Sequence, residues 1–213
     1  MGQNDALSWE EFLSPEVLRT KLISTSLFLT VFQMLKECII QRISDFYTHG
    51  FDQTGWLVDP RYEAEVLSRD KSRVYASLKW LLDRGAIDQA DIDQFERLKL
   101  CRNKLAHDLA SVSLGTATEH LTLFPPMVEL LSKVESWWIV NVEIPTNEDF
   151  DGVEIDEAGI VPGRVMTVRV MADLALGSDK EATAYLDYFK KHHGGNGTPL
   201  RTTTFIVNQM TRR

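Results

Sequence analysis

"VLRTKLISTSLFLTVFQMLKECIIQRISDFY", residues 17–47, is the stretch on which the fold turns. Leu27, Val31, Met34, Leu35, Cys38 and Ile39 recur at helical spacing, and neither glycine nor proline interrupts them. Just upstream, Ser14-Pro15-Glu16 supplies a capping hydroxyl, a ring that pre-sets φ for the first turn and an acid at the positive end of the helix dipole. Downstream, His49-Gly50 is a stop signal. Together they predict one helix of roughly 30 residues.

Helical spacing continues through most of the chain. "GFDQTGWLVDPRY" (50–62) reads as a turn-rich loop, with Asp59-Pro60 starting a short helix through Leu67. A further helix spans Ser72 to Arg84, closed by Gly85, and Asp88 caps the next. From Thr116 to Val142 the pattern is helical again, with Pro125-Pro126 expected to kink or split it. Trp137-Trp138 read as core or interface anchors, because bulky aromatics at helical spacing usually pack. The expectation is an all-α fold: a helical bundle over 1–144, an acidic loop or linker over 145–163, and a C-terminal helix pair with a flexible tail over 164–213. The linker assignment rests on "PTNEDFDGVEIDEAG" (145–159), which holds six acids and no base. In the tail, Phe205–Val207 is a short apolar segment that can dock as a strand or stay loose. No internal repeat is visible.

Composition narrows the functional classes. At 213 residues and 44% hydrophobic content the chain can bury a core. A formal charge of -8 and a pI near 5.2 exclude a global positive field for nucleic acid, so any such contact needs a local basic patch. Cys38 and Cys101 are too few and too far apart for a zinc ribbon or redox pair, and read as reduced buried thiols. The start of the chain is acidic where a signal peptide is basic, and Ala6 stands where a myristoylation motif needs Ser or Thr. No apolar run is read as approaching the roughly 18 residues of a membrane span, so a cytoplasmic protein without a membrane partner is expected. There is no phosphate-binding glycine loop, nucleophile elbow or metal-ligand spacing, and no cofactor is expected. His192-His193 follow Lys190-Lys191 at a helix end and read as dipole partners, and His49 and His120 as core or surface residues.

One helix carries a candidate site. In "LCRNKLAHDL" (100–109) three polar groups interrupt an apolar pattern. Helical spacing puts Phe95, Leu98, Leu105, Ala106 and Leu109 on one stripe, with Arg97, Lys104 and Asp108 opposite. Arg102 then projects from the middle of the apolar stripe, where an unsatisfied guanidinium costs several kcal/mol. Asn103 and His107 are four apart and share one flank, with Glu96 two turns back. A cation, an amide and an imidazole around one volume suit a phosphodiester. Arginine binds phosphate oxygens bidentately, and histidine exchanges protons near neutral pH.

"RNKLAH" (102–107) resembles the Arg-Asn-x-x-x-His signature of the HEPN superfamily, small helical domains that often act as metal-independent ribonucleases in toxin–antitoxin and defence systems. Residues 14–142 are similar in arrangement to that family, whereas the part after 145 has no assigned counterpart. Arg42 and His49 fit a looser spacing but lack the asparagine. The resemblance implies that Arg102 binds the scissile phosphate, that His107 is the general acid and base, and that Asn103 positions them. It also implies a homodimer whose two motifs meet in one cleft, RNA or a nucleotide as ligand, and an antitoxin or regulatory protein as a further partner.

The residues also admit structural roles. Arg102 can pair with Glu37 or Asp45 of the long helix, and His107 can serve as a helix C-terminal imidazole. Three functions remain open on the sequence: a dimeric endoribonuclease, a silent module binding nucleotide, RNA or protein through the same cleft, and an adaptor with an internally paired Arg102. The acidic loop is expected away from the cleft or over it as a flap.

Overall fold

The computed structural model describes residues 13–53, 55–107 and 118–193. Its core is built around α1, Pro15–Phe46, whose Phe28, Val31, Leu35, Cys38, Ile39 and Ile43 are fully buried. Helices α3 (Arg73–Asp83), α4 (Gln89–His107), α5 (Glu119–Trp138) and α6 (Gly163–Leu176) all pack on it. A short α2 (Arg61–Glu65) and a 3₁₀ turn at Leu67–Arg69 lead into α3. The all-α class expected from the sequence is the observed one, with one two-stranded sheet added among the described residues.

That sheet corrects the turn-rich loop. Strands β1 (Thr48–Asp52) and β2 (Gly55–Val58) form an antiparallel hairpin with Phe51 opposite Trp56. α1 therefore stops at Phe46, ahead of the His49-Gly50 signal. Tyr47 turns into the core, where its hydroxyl donates to Glu65 at 2.5 Å and accepts from Trp80 Nε1 at 3.3 Å. Asp59 closes the hairpin's exit, accepting from His49, from the Arg61 guanidinium and from the Arg61 backbone N–H.

The loop between α3 and α4 follows the predicted signals. Gly85 adopts φ +69° as the α3 terminator, and Gly85 N–H and Ala86 N–H donate to Leu82 and Leu81 carbonyls at 3.0 Å, a Schellman closure. Asp88 then starts α4 reciprocally: its carboxylate accepts from Asp91 N–H at 3.1 Å, and its own N–H donates to the Asp91 carboxylate at 2.9 Å. Lys133 of α5 bridges both acids, so the motif helix is tied to its neighbour at its start.

Pro125 and Pro126 do not split α5, which runs from Glu119 to Trp138 and continues as a π turn, Ile139–Glu143. The carbonyls of Leu121 and Thr122, deprived of their helical donors, belong to exposed residues where water can replace them. Trp138 is buried and stacks on Trp80 with ring centroids 5.8 Å apart and planes 8° apart, and Trp137 meets Trp80 edge-on. These tryptophans are core anchors.

The segment after Ile144 carries short 3₁₀ turns at Glu148–Phe150 and Glu157–Gly159 before α6. α6 joins the bundle core: Val165 and Val168 are buried, and Arg164 reaches Glu135. α7 (Asp179–His193) packs on α6, with Tyr185 donating to Asp173 at 2.6 Å. The segment Phe205–Val207, Asp108, Leu109 and the side chains of His192 and His193 lie outside the described residues.

One 18-residue window of α1 reaches a mean hydropathy of 1.4, so the expectation of no stretch apolar enough for a membrane span does not hold as stated. Half of that window is buried inside the bundle, as the central helix of a packed domain requires.

Candidate functional site

The buried face of α4 is Phe95, Leu98, Cys101 and Leu105, a stripe shifted from the predicted one. Cys101, not Arg102, occupies its centre, and Ala106 is exposed. Positions 101 and 102 both satisfy helical spacing from Leu98 and Leu105. The small thiol fits the core and the arginine lies along its edge with its head outward. The prediction that Arg102 projects from mid-stripe is corrected accordingly: it is half-buried and opens into a groove.

That groove, about 400 Å³ in volume, lies among α1, the start of α3 and α4. Arg102 and Asn103 line it together, and Arg102 Nη1 donates to Asn103 Oδ1 at 3.2 Å. Three further cations share it: Lys36 of α1, Arg73 of α3 and Lys99 of α4. No aspartate or glutamate is among its lining residues. Sequence reasoning missed Lys36, Arg73 and Lys99. Two carried a signal: Lys99 precedes Arg102 by three positions on one helical face, and Lys36 is a charge inside the apolar run of α1.

Arg73, Lys99 and Arg102 each donate to a neutral oxygen. Arg73 Nε donates to the Tyr62 hydroxyl at 3.1 Å and Nη2 to the Ser44 hydroxyl at 3.0 Å. Lys99 donates to the Tyr75 hydroxyl, which raises the Lys99 pKa, and stands 3.9 Å from Glu96 at the groove's edge. Among the described residues Arg102 forms no ion pair with Glu37 or Asp45; Glu37 accepts from Gln33 at 2.7 Å instead. Ser72 and Arg73, at the start of α3, also bring the positive end of that helix to the groove.

His107 is the last residue of α4, exposed one turn beyond Asn103, and is not among the groove's lining residues. The structure thus brings Arg102 and Asn103 into one cavity and sets His107 further along the same flank. Cys101, next to Arg102, is no nucleophile: burial first, then the charge of Glu119, pushes its thiol up to about 11. The acidic segment 145–159 contributes no residue to the groove's lining. Among the described residues, no group of three or more His, Cys, Asp or Glu side chains is placed to hold a metal ion.

The looser Arg42–His49 match is occupied elsewhere. Arg42 pairs with Glu135 and Glu143, and His49 with Asp59 at 3.1 Å. Glu135 is 1% exposed and also accepts from Arg164 at 2.9 Å and from the Cys38 thiol at 3.0 Å. Burial alone raises its pKa, but hydrogen bonds from Arg42 and Cys38 and the charges of both arginines outweigh that and hold the carboxyl below its ordinary range. Comparison with protein-family models, with curated proteins and with solved structures gives no match for this chain.

Proposed function

We propose that the chain is a metal-independent endoribonuclease of HEPN type, a toxin or defence effector working in the cytoplasm and held in check by an antitoxin or regulatory protein. The observation that carries this reading is Arg102: a half-buried guanidinium without a carboxylate partner among the described residues, steadied by Asn103, in a groove lined by cations and no acid. A charge left open in that way is suited to an external phosphate. In the proposed reaction the RNA 2′-oxygen attacks phosphorus, the bond to the 5′-oxygen breaks, and a 2′,3′-cyclic phosphate forms. His107 accepts the 2′-hydroxyl proton and returns one to the leaving 5′-oxygen, Arg102 stabilises the charge on the phosphoryl oxygens, and Asn103 fixes Arg102. The resemblance places two such motifs in one cleft of a homodimer, which suits an exposed His107 in the last turn of α4.

The test is cleavage of labelled RNA in EDTA, with product ends identified. Arg102→Ala and His107→Ala, each checked for native circular dichroism, should lower the rate by about 10²-fold or more. Cyclic phosphate ends that persist at full rate in His107→Ala would sink the mechanism, and a monomer by light scattering at micromolar concentration would sink the dimer cleft. His107's position outside the groove lining favours a second reading, a non-catalytic module that binds RNA or a nucleotide through Arg102. Retained RNA binding with no turnover of any substrate, in wild type and His107→Ala alike, is its signature.

A further inference from the structure

We propose that Lys36, Arg73 and Lys99 form a separate subsite that binds the phosphate next to the one at Arg102, so that the groove takes an extended single strand of RNA. This rests on the reading of Arg102 as a phosphate ligand. The first argument is charge. Arg42, Arg61, Arg69, Lys79, Lys133 and Arg164 all spend their charge on carboxylates of this acidic chain. At the groove Arg73 is positioned by a phenol and an aliphatic hydroxyl, which hold it without neutralising it. Lys36 reaches the same cavity from α1 and has no ion pair among the described residues. Lys99 is partly offset by Glu96, 3.9 Å away, and is the weakest of the three.

The second argument is shape. The cavity volume of about 400 Å³ falls in the size class of small-ligand pockets, roughly 300–1,000 Å³. Half-buried Ile40 of α1 and Val74 of α3 add apolar wall to the groove beside its cations. An unstacked base fits such a wall beside a bound phosphate. A duplex keeps its base faces stacked and presents backbone, 2′-hydroxyls and base edges, which leaves that wall unused.

Binding is measured by fluorescence anisotropy on the full chain with a labelled 2′-O-methyl oligoribonucleotide of about ten nucleotides, within the range of single-strand sites. The blocked 2′-oxygen removes cleavage from the readout. Lys36→Gln should weaken binding about fivefold and flatten the slope of log K against log salt by about 0.7, the signature of one lost contact on a single strand. Lys36→Arg should restore both. Arg97→Gln, on the opposite exposed face of α4, should change neither. Thermal unfolding of each variant separates lost binding from lost fold.

Wild-type affinity in Lys36→Gln overturns the subsite, as does an equal loss in Arg97→Gln, equal binding of a duplex of the same sequence, or no binding by wild type. The two proposals fail separately. Cleavage that depends on His107 while Lys36→Gln binds normally removes the subsite alone. Lys36-dependent binding, with no cleavage of the unmodified strand, supports the subsite and removes the ribonuclease.

Discussion

Arg42 and Arg164 meet a carboxylate that is 1% exposed, whereas Arg73 and Arg102 meet a phenol, a hydroxyl and an amide. In the first region the charges of α1, α5 and α6 cancel inside the fold. In the second, Arg73 and Arg102 are fixed in place without a carboxylate partner among the described residues. A guanidinium that closes on Glu135 joins helices, and one that closes on Asn103 remains open to an outside anion. The sharpest way to break this contrast is Glu135→Leu, which leaves Arg42 and Arg164 without their shared buried partner. Removing one side of a buried pair typically costs about 3–5 kcal/mol, so urea unfolding should show a loss of that order. A loss below about 1 kcal/mol would mean that the cluster is incidental to the fold.

Acid gives a second handle on the same cluster. The folded Glu135 carboxyl titrates below its ordinary value of 4.5, so between the folded and unfolded values the unfolded chain binds the extra proton. The stabilisation is fully present above about pH 4.5 and is lost as the pH falls through the folded value. The stability gap between wild type and Glu135→Leu should therefore be flat near neutrality and narrow below pH 4.5. Taking the gap cancels other acids held low by exposed partners, Asp59, Asp70 and Asp88 among them. A gap that widens in acid would contradict the assigned sign.

The same contrast explains what was legible in the sequence. The helices announced themselves through local signals: the apolar period of α1, Gly85 after α3 and Asp88 before α4 are each written within a few residues. The hairpin did not, because Phe51, Trp56, Leu57 and Val58 are all exposed and no buried alternation marks its strands. Arg102, Asn103 and His107 were legible as a local spacing on one helix. The rest of the groove was not, since Lys36 and Arg73 come to it from other helices, which pack on α4 through Phe32 and Tyr75 against Phe95. Glu135 was hidden for the same reason, with partners at positions 38, 42 and 164. Reading Arg102 into the apolar stripe failed by one residue, because the period cannot choose between neighbours when a small thiol and a long cation both fit.

The smallest effect belongs to the groove. Like charges that share a cavity without carboxylates repel each other in the free protein, so neutralising one should leave stability unchanged or raise it. Lys36→Gln and Arg102→Gln keep much of the side chain's packing and should shift unfolding by no more than about 0.5 kcal/mol, in the stabilising direction. Screening sets the control: at about 1 M salt the Debye length falls to roughly 3 Å and the gain should vanish, whereas at low salt it should be largest. A marked loss of stability in Arg102→Gln at every salt concentration would place that arginine with Arg42 and Arg164, as a residue holding the fold together. A gain that salt erases would leave it free for an anion from outside.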